Sequence, residues 1–492
     1  MDHKEKEHTA KTIIKYSSSN FYKQLLSVFN AFIKPKLLSP EMFGLWNLLY
    51  IIPTYVPYIH LGSRYSMRYF IPYHEEKKEL QKIDDLKGSV FYGTLYLNIL
   101  AAAVIVIAAL TGNFNLVTTT GLIAMAALVL IWWYYEYYIN YLKALQDFSL
   151  ITSSNYLLTT VAFFSSLPLL YFFNIYGLYI SAVLSNLAVI FYLRAKHPLG
   201  IKTGFRYSVF ADLVKRGFPI MIFLISDLMI RTSDRIVVSY FLGNEQLGYY
   251  SIAIMVLNFV MQIPGASREV VESKLMKDAG SNSKEAILRE YFFGPLVKTA
   301  YLMPLLLGPI VLVLPVLIPV LLPRYIQGIV SAQIVTLGCY FLSMSYTARG
   351  ILIASGLQLK AFYISILVLT GNILLSIILL KSGLGIKGVA ISCSISYFLL
   401  FIGFFMFIKK MCFHNQADWK TAVKALSLPF PIMCAAIVLL NYISAYLSLN
   451  IFVTTLLSAL IFYAVMLTVV NKAEKKYYFL KGVRLKNLWQ EL

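Results

Sequence analysis

The chain has 492 residues, 59% of them hydrophobic and only 13% charged, with a formal net charge of +20. A soluble domain carries roughly 25% charged residues, so this composition excludes an ordinary water-soluble enzyme or nucleic-acid-binding domain. Lipid must cover most of the surface, and the excess of Lys and Arg reads first as a topology signal and then as a site for an anion.

A spanning helix needs about 20 mostly apolar residues. Such runs predict an all-α polytopic membrane protein of about 14 transmembrane helices, at 12–34, 45–69, 88–110, 120–142, 152–172, 176–194, 217–241, 247–268, 293–321, 328–349, 359–380, 386–408, 425–445 and 450–471. The N-terminus, MDHKEKEHTAK, is charged, and no small-residue cleavage site follows the first apolar stretch, so the first helix is expected to be retained. With the N-terminus in the cytoplasm, the Lys- and Arg-rich segments 74–87, 194–216, 268–290, 409–424 and the C-terminal tail all fall inside. The outside loops 111–120, 174–177, 242–246 and 445–450 carry few cations. This bias predicts an even helix number, with both termini cytoplasmic.

The second half repeats the first. Glu41 and Gly44 in LLSPEMFGLW align with Glu245 and Gly248 in LGNEQLGYYS at an offset of 204 residues, and the same offset aligns Ser63-Arg64 with Ser267-Arg268. GLYISAVLSN (177–186) resembles GIKGVAISCS (385–394) at an offset of 208. The expected organisation is an N-lobe (1–194), a cytoplasmic linker (195–216), a C-lobe (217–408), and two appended helices with a basic tail (409–492). These are two pseudo-symmetric six-helix lobes in the same orientation, and parallel repeats of this kind place a transported substrate at the interface between the halves.

Ionisable residues inside a membrane are costly and mark functional sites. The seventh predicted helix carries Asp227, Arg231, Asp234 and Arg235 at i, i+4, i+7 and i+8, which share one face of an unbroken helix. On that face Arg231 can pair with Asp227 and Asp234. Lys15 and Lys23 lie on one stripe of the first helix, Arg64 and Arg68 end the second, Arg268 ends the eighth and Lys298 begins the ninth. Cations outnumber acids in this set, so a cavity lined by it suits an anion, and guanidinium pairs grip phosphate oxygens bidentately. Lys15, Arg68, Arg268 and Lys298 are also placed to snorkel to headgroups, and Asp227, Arg231 and Asp234 also read as a structural ion-pair network. Glu136 is a further proton or cation site, or an interfacial residue.

Cys339, Cys393, Cys412 and Cys434 have neither zinc nor disulfide spacing, and the six His form no ligand cluster, so no metal or cofactor is expected. Neither a phosphate-binding loop nor a Ser/His/Asp arrangement can be placed, which leaves transport driven by gradients and disfavours an enzyme.

The segment 216–257 joins Gly217 and Pro219 at a helix start, Asp234-Arg235 in mid-helix, and a turn with Gly243, Gly248, Tyr250 and Ser251. This set resembles the polysaccharide-exporter branch of the multidrug/oligosaccharidyl-lipid/polysaccharide superfamily, the Wzx-type flippases. LLSPEMFGLW (37–46) resembles that branch's first external turn and IYGLYISAVLSN (175–186) its sixth helix. The resemblance spans roughly residues 10–410. It implies a bacterial inner-membrane flippase for undecaprenyl-pyrophosphate-linked oligosaccharide, working by alternating access through a cationic cavity. Its partners would be membrane lipid and the polymerase and glycosyltransferases of surface polysaccharide synthesis. Alternatives are a drug/cation antiporter of the same superfamily, which would favour acidic cavity residues, and a membrane polymerase or acyltransferase, which would carry a large external loop.

Overall fold

The computed structural model describes residues 3–265, 289–412, 416–446 and 450–476, and every element in them is helical. The chain divides into two compact units, 1–225 and 226–492. Unit 1 contains α1 (His3–Leu37), α2 (Pro40–Leu49), α3 (Ile51–Tyr55), α4 (Ser63–Glu76), α5 (Leu80–Thr111), α6 (Leu116–Ala144), α7 (Phe148–Phe173), α8 (Ile175–Lys196) and most of α9 (Tyr207–Ile230). Unit 2 takes the last turn of α9, then α10 (Ser233–Val260, kinked at Gly243, where φ is 83°), α11 (Gly294–Leu321), α12 (Ile329–Ala354), α13 (Gln358–Leu379), α14 (Gly385–Cys412), α15 (Gln416–Ser427), α16 (Pro429–Tyr446) and α17 (Ile451–Lys476).

Among the described residues, 9 helical stretches are long and apolar enough to cross a membrane. The outward faces agree: Leu100, Val104 and Ile107 on α5 and Leu456 and Leu460 on α17 are exposed, a surface suited to hydrocarbon rather than water. The protein is therefore an all-helical, multi-pass membrane protein.

Helix starts follow local chemistry. The Asn115 carboxamide oxygen accepts the Thr118 N–H at 2.9 Å to open α6, and Asp147 accepts the Leu150 N–H at 3.0 Å to open α7. Ser39 caps α2, with Pro40 at its first position. The α7–α8 turn is made by Asn174, which takes a positive φ and accepts the Ile175 N–H at 2.8 Å.

Two predicted helices are broken. The run 45–69 is not one helix: α2, α3 and a 3-10 turn lead to a bend where Leu61 and Gly62 have φ of 52° and 92°, and α4 starts at Ser63. The run 217–241 is also interrupted. Its helix begins earlier, at Tyr207, stops at Ile230, and resumes at Ser233. Thr232 and Ser233 offer hydroxyls that compete for backbone groups, and Thr232 Oγ1 donates to the Leu228 carbonyl at 2.9 Å.

Residues 197–206, within the expected linker, are tied to unit 1. Tyr138 Oη donates to the His197 carbonyl at 2.5 Å, Thr203 Oγ1 donates to that of Asp84 at 2.5 Å, and Arg206 pairs with Asp85 at 2.5 Å. A Cβ at Gly88 would meet the Thr203 carbonyl oxygen at 2.2 Å, so α5 and this segment approach as closely as a glycine allows.

Helix α11 carries Pro304, Pro309, Pro315 and Pro319. Pro315 has no N–H for the Val311 carbonyl one turn back. Gln333 of α12 supplies the missing donor, its Nε2 reaching that carbonyl at 2.9 Å.

Candidate functional site: buried arginines at two helix breaks

The bend in unit 1 is shaped by His60. Its Nδ1 accepts the Gly62 N–H at 2.8 Å, and Ser63 Oγ donates to the His60 carbonyl at 2.8 Å. Only glycine fits at 62: φ is positive, and a Cβ would lie 2.2 Å from the Gly217 carbonyl carbon. Ser66 Oγ, one turn on, donates to the Leu213 carbonyl of α9 at 2.7 Å.

Arg64 sits in the first turn after the bend and is 0% exposed. Its Nη2 donates to the Trp133 carbonyl of α6 at 3.0 Å, while Nε and Nη1 have no hydrogen-bond partner among the described residues. Trp133 is itself anchored, its Nε1 donating to Thr94 Oγ1 of α5 at 2.8 Å. Glu136, one turn along α6 and half-buried, takes Asn140 Nδ2 at 3.3 Å. Among the described residues no carboxylate lies within ion-pair reach of Arg64.

The break in unit 2 separates the four charges that a continuous helix would align. Arg231 follows the last turn of α9 and Asp234 lies in the first turn of α10, so each charge complements the dipole of its own half-helix. Arg231 Nη2 meets Asp227 Oδ2 at 3.1 Å. Arg349 of α12 grips the other oxygen, Asp227 Oδ1. Asp234 accepts the Tyr250 hydroxyl at 2.8 Å and the Arg235 backbone N–H at 2.8 Å. Nearby in the same unit, Asn372 Nδ2 donates to Ser233 Oγ at 3.3 Å and Ser392 Oγ donates to Asn372 Oδ1 at 2.9 Å. Arg235 is buried, and its Nε has no partner among the described residues.

The remaining predicted residues are scattered. Lys23 and Arg68 are exposed and Lys298 is half-buried. Lys15 lies on α1, but its side chain is outside the described residues, as is all of Arg268. The polar stripe of α1 serves α7, with Tyr22 Oη against Thr160 Oγ1 at 3.0 Å and Ser166 Oγ donating to Asn30 Oδ1 at 3.2 Å. Sequence reasoning missed Arg349 and His60. A predicted helix end at 349 puts that arginine at a membrane edge, whereas α12 continues to Ala354. His60 carried a weak signal: it lies two residues before a glycine inside an apolar run.

A family model described as "Polysaccharide biosynthesis protein" matches residues 35–324, well over half of the chain. The chain belongs to this polysaccharide biosynthesis family. Both broken helices lie inside the matched region. None of the curated proteins matches. Among solved structures, the chain is similar to the lipid II flippase MurJ in an inward closed conformation, at 16% identity, with 93% of this chain and 99% of that chain covered and a TM-score of 0.69. It is also similar to an inward-facing multidrug resistance MATE family transporter of the MOP superfamily, at 14% identity, 81% and 98% coverage and a TM-score of 0.61. A MOP superfamily transporter from Pyrococcus furiosus, described as having a binding pocket of reverse polarity, follows at 14% identity, 81% and 93% coverage and a TM-score of 0.52. At these identities the likeness establishes the fold, which is that of MOP-superfamily transporters.

Proposed function

We propose that this protein moves undecaprenyl-pyrophosphate-linked oligosaccharide from the cytoplasmic to the outer leaflet of a bacterial inner membrane by alternating access. The product feeds cell-surface polysaccharide synthesis, alongside the polymerase and glycosyltransferases that act before and after it. The chain is a transporter and not an enzyme, its two repeats are the moving lobes, and both termini are cytoplasmic.

One observation carries this reading: Arg64 in unit 1 and Arg235 in unit 2 are buried guanidiniums with unfilled donors and no carboxylate within ion-pair reach among the described residues. A buried, unpaired cation costs several kcal/mol, and a diphosphate headgroup is a counter-ion that would offset this cost during transport. Lys15, Lys23, Arg68, Arg231, Arg268 and Lys298 are the further cations we assign to substrate binding. Asp234, held by Tyr250, is our choice for the group that couples transport to an ion, with Glu136 second. A cation antiporter would want open acids, whereas Asp227 is held by two arginines and Asp234 by a tyrosine.

A deletion strain is expected to accumulate lipid-linked repeat units on the cytoplasmic face of the membrane. Absence of that intermediate overturns the assignment. Arg64→Met is expected to abolish surface polysaccharide with the protein still folded in the membrane; full export by that variant removes Arg64 from the path.

A further inference from the structure

We infer that Asp227 fills, with its own carboxylate, an anion site that Arg231 and Arg349 otherwise present to a diphosphate group. The inference deepens the reading above and rests on it. Arg349 belongs to no part of the sequence-predicted site.

The geometry is that of a captured anion. One oxygen of Asp227 faces Arg231 at 3.1 Å and the other faces Arg349. Two guanidiniums converging on one O–C–O group are arranged as they would be for the oxygens of a phosphoryl group, which prefers the same planar, forked donors. Arg349 is fixed for this task. Its side chain is 2% exposed, the Tyr346 ring lies 4.4 Å from its guanidinium carbon, and its Nε has no hydrogen-bond partner among the described residues. A diphosphate, with more oxygens than a carboxylate, can reach that idle donor. Arg231 is 25% exposed against 4% for Asp227, so the arginine forms the open side of the site.

Asp227 also lies on the last turn of α9, just before the chain breaks at Arg231 and Thr232. Asp227 is thus an internal stand-in for the headgroup, keeping the arginines paired until the substrate takes its place.

The test uses the full chain in detergent micelles and inorganic pyrophosphate as the probe, with binding read by titration calorimetry and by the shift in thermal midpoint. Asp227→Asn is expected to bind pyrophosphate at least ten-fold more tightly than wild type, and pyrophosphate should restore the midpoint that this variant loses. Arg349→Gln and the charge-balanced Asp227→Asn/Arg349→Gln double variant should show no such gain. Unchanged affinity in Asp227→Asn, or an equal gain in the double variant, overturns the inference. Should Asp227→Asn fail to fold alone, purification with pyrophosphate present decides: recovery of folded protein supports the site, and no recovery overturns it. A short-chain phosphatidylglycerol that binds Asp227→Asn as well as pyrophosphate does would assign the arginines to bulk lipid, which also overturns it. None of these measurements involves flipping. Absence of the lipid-linked intermediate in a deletion strain, with the pyrophosphate gain intact, therefore counts against the proposed function alone, and the converse result counts against the carboxylate-filled site alone.

Discussion

The two units bury arginines in opposite ways. Arg64 in unit 1 has a backbone carbonyl, two idle nitrogens and no acid within ion-pair reach among the described residues, whereas Arg349 in unit 2 is clamped to a carboxylate shared with Arg231. Arg64 follows the break at Leu61–Gly62, and the carboxylate that holds Arg349 lies one turn before the break at Arg231–Thr232. The contrast shows that burial alone does not identify a substrate contact. Arg349 already has a counter-ion, whereas Arg64 keeps two donors without a partner among the described residues.

Substitutions can break this comparison. The largest effect is expected in unit 2. Asp227→Ala strands Arg349 in a low-dielectric interior, and leaving a buried charge without its partner costs about 3–5 kcal/mol. The loss should appear as a fall in the denaturation midpoint in detergent, while Arg64→Met, which strands no partner, should leave that midpoint within about 1 kcal/mol of wild type. Equal losses in the two would erase the distinction. Next comes Gly62→Ala. A side chain at a positive φ costs of order 1–3 kcal/mol, and the contact with the Gly217 backbone adds to it, so both stability and export should fall. Measuring both for the variant shows whether the bend is needed to aim Arg64.

The smallest effect lies in the exposed α4–α5 turn, just before the candidate membrane span Leu80–Thr111. The Glu79 carboxylate takes Lys82 Nζ at 2.9 Å and His74 Nδ1 at 2.5 Å, and these bonds, Lys82's first, hold its pKa below the ordinary glutamate value. A depressed carboxylate contributes stability above its unfolded pKa and loses it as pH falls through the folded one. Hydrogen exchange at Lys77–Lys82 should therefore quicken only when the pH drops below the usual glutamate range. Protection that is flat with pH would show that the turn holds without this pairing.

Much of the helical layout is legible in the sequence because hydrophobic runs bounded by Asn174 or by Gly383 and Gly385 leave little choice of boundary. The breaks are not legible. PTYVPYIHLGSRYS and LMIRTSDRIV are apolar enough on either side to read as continuous helices, and the contacts that meet at the bends, Gly62 against Gly217 and Arg349 against Asp227, join residues distant in sequence. The shared charged face expected for Asp227, Arg231, Asp234 and Arg235 assumed an unbroken helix, so its logic ends where α9 ends. Arg64 was legible as a buried cation from the sequence alone; its idle nitrogens were not, since they depend on what α6 fails to supply.

The bond from Gln333 to Val311 has a wider consequence. A glutamine within an apolar span invites assignment to the transport route, yet here it repairs a gap left by Pro315 on the neighbouring helix. The two positions are therefore expected to vary together: a relative that loses the proline should release the glutamine to drift, and one that keeps the proline should hold another donor where the glutamine is gone.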